Sequence, residues 1–78
     1  MNTNAPLFDR VVAASGLSNL LAAPAIQRAL ARAGVKDLAS LTRAELAQAL
    51  PQLRAGLAVY LSPSEVEARM KAIEALAR

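Results

Sequence analysis

The chain contains no cysteine, no histidine and no tryptophan, and it has one phenylalanine and one tyrosine. Without cysteine there is no disulfide framework, no thiol nucleophile and no thiolate metal site. Without histidine the commonest general base, the commonest metal ligand and the side chain that titrates near neutral pH are all missing. A zinc site would have to be built from carboxylates alone. The glycines, at 16, 34 and 56, are scattered, so there is no glycine-rich phosphate loop. No serine has a histidine to activate it. These gaps predict a protein that is not an enzyme, with no cofactor, no metal and no small-molecule substrate.

What is present favours helix. Of 78 residues, 55% are hydrophobic, and 19 of these are alanine and 13 leucine. Alanine, leucine, arginine, glutamate and glutamine are good helix formers, whereas aromatic and β-branched residues, which suit a sheet, are scarce. A chain this short buries only about 60% of its unfolded surface. It has enough apolar residues for one small core, and its stability stands to gain from a partner or from a second copy.

Local signals place the helices. Residues 1–4 read as a disordered polar tail and 5–78 as a single helical domain. Asn4 can cap a first helix with Pro6 in its first turn and an apolar stripe at Leu7, Phe8, Val11 and Val12. The single phenylalanine, Phe8, is expected to anchor the core. Gly16 suits the left-handed end of that helix. Leu17–Leu21 reads as a short turn or a loop. Pro24 then opens a second helix with Ile26, Ala29, Leu30 and Ala33 on one face, closed by Gly34 and covered by Val35.

Lys36–Leu41 is a connector. Thr42 and Glu45 form a capping box for a helix carrying Leu46, Ala49 and Leu50. Pro51 cannot continue that helix smoothly, and it can start the next, with Leu53, Leu57, Tyr60 and Leu61 in register. Ser62, Pro63 and Glu65 start a last helix with Val66, Met70, Ile73 and Leu76 inward. Its other face carries Glu65–Arg69, Glu67–Lys71 and Glu74–Arg78 at i, i+4 spacing. The expected fold is all-α, a compact bundle of four to five short helices.

The segment Ala29–Leu53, ALARAGVKDLASLTRAELAQALPQL, resembles part of a SAM-like or helix-hairpin-helix domain over about a third of the chain. The resemblance implies helical packing of that kind. In the members that bind DNA it implies a Gly-hydrophobic-Gly hairpin whose backbone amides meet a phosphate. The matching place here reads Pro51-Gln52-Leu53-Arg54-Ala55-Gly56 and lacks that hairpin.

Two features are candidates for contact with a partner. Arg28, Arg32 and Lys36 are spaced by four, with no acidic residue at i±4 on their helix. They can meet an anion or an acidic surface, although helix-dipole and solubility arguments account for the same residues. Tyr60 falls on the side of Leu53, Leu57 and Leu61. That register predicts a half-buried core ring with its hydroxyl at the rim, and tyrosine is also a frequent interface anchor.

The net charge of +3 permits nucleic-acid contact without requiring it. No aromatic residues interleave the basic ones to stack bases. Val11–Gln27 is the longest uncharged stretch, but Ser15, Gly16, Ser18, Asn19 and Pro24 interrupt it. It makes a poor membrane span, and a poor leader despite the small-x-small Ala23-Pro24-Ala25. The expectation is a cytoplasmic, unprocessed protein-protein interaction module with an adaptor or regulatory role. Its partner would be an unidentified protein or a second copy of the chain in a homodimer, with no membrane contact. A nucleic-acid-associated domain using the basic stripe is the alternative.

Overall fold

A computed structural model of the chain describes residues 6–78. The expected tail at 1–4, the domain start at residue 5 and the Asn4 cap lie outside the described residues. Four α-helices make up most of the rest: α1 Leu7–Ala14, α2 Asn19–Arg32, α3 Arg43–Ala58 and α4 Pro63–Ala77. A 3-10 turn at Leu38–Ser40 bridges α2 and α3. No strand occurs among the described residues. The fold is all-α, as composition and periodicity predict.

The terminal signals work as the sequence implies. Gly34 takes φ +95°, the Val35 N–H donates to the Leu30 carbonyl, and the Gly34 N–H donates to that of Ala31. That pair of bonds is a Schellman cap. The Thr42 hydroxyl accepts from the Glu45 N–H at 3.1 Å, and the Glu45 carboxylate accepts from the Thr42 N–H at 3.0 Å. Ser62 Oγ accepts from the Glu65 N–H at 3.4 Å, with Pro63 in the first turn. Gly16 is left-handed, at φ +74°. Beside it Ser15 is fully buried; its hydroxyl donates to the Val12 carbonyl at 2.7 Å and accepts from the Leu17 N–H at 3.3 Å.

Two prolines sit inside helices where the sequence predicts boundaries. α2 begins at Asn19, so Pro24 lies in its second turn and not at its start. α3 runs unbroken through Pro51, so the third helix and the expected next one are a single element. An interior proline costs about 3 kcal/mol. On α3 the offsetting term is the continuous stripe Leu46–Ala49–Leu53–Leu57, all fully buried. Each buried leucine contributes roughly 1.5–3 kcal/mol, so three of them outweigh one proline. Both proline rings are exposed, as are Leu20 and Ala47, whose carbonyls lose their N–H partners. Water can solvate those carbonyls.

One core joins all four helices: Val11 from α1, Ile26 and Leu30 from α2, Leu46, Leu53 and Leu57 from α3, and Met70 and Ile73 from α4. Phe8 is only partly buried and packs at its edge. α2 packs along α3 and α3 along α4, while α1 touches both α2 and α4 and closes the bundle. On α4 the Glu65–Arg69 pair forms at 3.7 Å. Glu67 does not pair with Lys71 as its spacing predicts. It reaches across to Arg54 on α3. No contact at ion-pair distance joins Glu74 to Arg78. No described helix is long and apolar enough to cross a membrane.

Candidate functional site

Four-residue spacing puts Arg28 and Arg32 on one flank of α2. That flank faces the end of α3 across a shallow groove of about 110 Å³. The floor is apolar: Ala25 and Ala29 are buried, and Gly56 of α3 has no side chain. The rim carries Arg28 and Arg32 on one side and Val59 and Tyr60 on the other. Val59 is 75% exposed and Tyr60 43% exposed. Leu20 is 88% exposed on the same helix, about two turns before Arg28.

Tyr60 is therefore not in the core. The register that places it beside Leu53 and Leu57 holds only while the helix continues, and α3 ends at Ala58. The Tyr60 N–H closes a turn on the Leu57 carbonyl at 3.0 Å, which brings the ring to the surface beside α2. The basic stripe is divided. Arg28 and Arg32 line the groove, whereas Lys36 is exposed beyond the Gly34 turn and does not.

Neither groove arginine is paired. Among the described residues the ion pairs are Arg54–Glu67 and Arg69–Glu65. Other carboxylates are engaged by backbone: Asp37 accepts from the Ala39 N–H at 3.1 Å, and Glu45 belongs to the capping box. The hydrogen bond from Arg54 and its nearby charge hold the Glu67 carboxyl below its ordinary range, and Glu67 in turn raises Arg54. Among the described side-chain carboxylates, Asp9 on α1 and Glu74 on α4 remain without such a contact.

A second shallow depression, about 280 Å³, lies between α3 and α4 against Leu61, Pro63 and Val66. Its charged residues are Arg54 and Glu67, which satisfy each other. It offers no net charge to select an occupant.

Sequence reasoning found three of the groove's four exposed residues and missed Val59, Ala25, Ala29 and Gly56. Two signals pointed to them. Val59 is apolar but lies off the Leu53–Leu57 stripe, and Gly56 is a glycine inside a helix with no turn to make. Fold and site together define a small all-α domain with a cationic, apolar-floored groove between two helices. No family model matches the chain, and comparison with curated proteins and with solved structures finds no match.

Proposed function

We propose that the chain is a small non-catalytic protein-protein interaction module acting in the cytoplasm, with the α2–α3 groove as its contact face. The observation that carries this reading is the exposure of Val59 and Tyr60 beside two arginines that no carboxylate of the chain pairs. Exposed apolar surface rimmed by polar groups marks interaction sites. Tyrosine and arginine are enriched among the residues that dominate binding energy. The groove, at about 110 Å³, is small beside the ~300–1,000 Å³ of small-molecule sites, which supports a macromolecular partner. Val11 and Ala22 fall within the uncharged stretch that mimics a leader, yet they are core residues, which supports a retained, folded segment.

Site-specific photo-crosslinking tests the reading. A crosslinking residue in place of Val59 should join the chain to a discrete protein species in its own cells. The same residue in place of Lys71, exposed on α4, should not. Equal capture at both positions would refute the assignment of the face.

A further inference from the structure

Resting on that reading, we infer that the groove takes an acidic segment of a different protein. An aliphatic side chain of that segment sits on Ala25, Ala29 and Gly56, and two of its carboxylates meet Arg28 and Arg32.

Spacing is the first reason. Four residues along α2 separate the two arginines by about 6 Å. Carboxylates at i, i+4 on a helix have the same rise, and those at i, i+2 on an extended strand span about 6.6 Å. Guanidinium is weakly hydrated and grips a carboxylate through two parallel N–H donors, so it tolerates the desolvation that docking imposes. The floor supplies the second reason. Its side chains, those of Ala25 and Ala29, are small and apolar and Gly56 adds none, which suits one short aliphatic side chain.

A second copy of the chain fits poorly. A two-fold pair meeting through this face would bring the same two arginines against each other. A head-to-tail contact would need a pair of free carboxylates, and four of the six acidic side chains are already engaged. Nucleic acid also fits less well. Two phosphate contacts give a salt slope of only about −1.8 for duplex DNA.

The test is selection of a displayed random fourteen-residue peptide library on the full 78-residue chain. Enriched peptides are expected to carry Asp or Glu within four positions of Leu, Ile or Val. Their affinity should fall tenfold or more on Arg28→Glu/Arg32→Glu. Arg10→Glu/Lys71→Glu changes the net charge equally, from +3 to −1 by four units, and should leave affinity within twofold. Gly56→Leu fills the floor at unchanged charge and should also cost tenfold or more. Circular dichroism and thermal unfolding confirm that each variant folds. Enriched peptides with no acidic bias that still require Val59 would overturn the acidic occupant and leave the interaction-module reading standing. A dimer dispersed by Val59→Asp would overturn it in favour of a second copy. Duplex DNA bound more tightly than any peptide, and lost on Arg28→Glu/Arg32→Glu, would overturn both readings. An absence of enriched peptides also counts against the inference.

Discussion

Replacing Pro51 with alanine is expected to stabilise the chain. α3 passes through Pro51 without a break, so position 51 lacks the N–H that would reach the Ala47 carbonyl. Its ring is exposed, and removing it takes no apolar surface out of the core. In a helix interior alanine is about 3 kcal/mol more favourable than proline. Ala47 is exposed, and water that reaches its carbonyl recovers part of that penalty in the native chain. A gain of about 1–3 kcal/mol follows. For a domain of this size that raises Tm by roughly 5–20 °C. Urea unfolding followed by far-UV circular dichroism gives the free energy, and amide exchange reads the new N–H at position 51 directly. If Pro51 instead opened a separate helix, its missing N–H would cost nothing and its fixed φ would help. Alanine would then be neutral or destabilising. An unchanged or lower midpoint, with a freely exchanging amide at 51, would refute the continuous helix.

Gly56→Ala should add about 1 kcal/mol, since the new Cβ would meet Ala29 Cβ at an ordinary 3.7 Å and the helix gains propensity; chemical denaturation measures it, and a loss would mean the α2–α3 packing is tighter than described. Gly16→Ala should cost about 1–2 kcal/mol, because φ there is +74°. The new Cβ would also collide with the Arg69 guanidinium, so the arginine must move, and a shifted Arg69 resonance should accompany the loss. Glu67 carries a lowered pKa through Arg54, so its contribution is present above the ordinary carboxyl range and fades as pH falls through the lowered value. Wild type should therefore exceed Glu67→Gln in stability at neutral pH, most clearly at low salt, and the two should converge as pH falls through the lowered value. Parallel curves across that range would remove the ion pair from the account.

The helix ends were legible because each depends on a few neighbouring residues. Gly34 with Val35, Thr42 with Glu45, and Ser62 with Pro63 each satisfy backbone groups within one turn, and sequence spacing alone specifies them. The two prolines were misread because their local preference competes with a distant reward. The stripe Leu46–Ala49–Leu53–Leu57 keeps its phase across Pro51, and that continuity outweighs the lost hydrogen bond. Before Pro24 the inward residue is Ala22, too small to announce a buried face. The groove was half legible. Helical spacing brought Arg28 and Arg32 together, but their meeting with Val59 and Tyr60 depends on where α3 stops and how it crosses α2. No spacing along one helix encodes that. The Arg54–Glu67 contact was invisible for the same reason, since 13 residues and a turn separate its partners.

The closing of the bundle by α1 and α4 bears on how the chain folds. Helices adjacent in sequence also pack in space, so most contacts form between nearby segments, a topology that folds rapidly. The docking of α1 on α4 is the long loop closure that remains, and its entropic cost grows only slowly with length. Once made, that contact leaves each of the four helices packed against two others. α1, which carries the fully buried Val11, packs against both α2 and α4. The molecule should therefore unfold as one cooperative unit, without a surviving pair of helices.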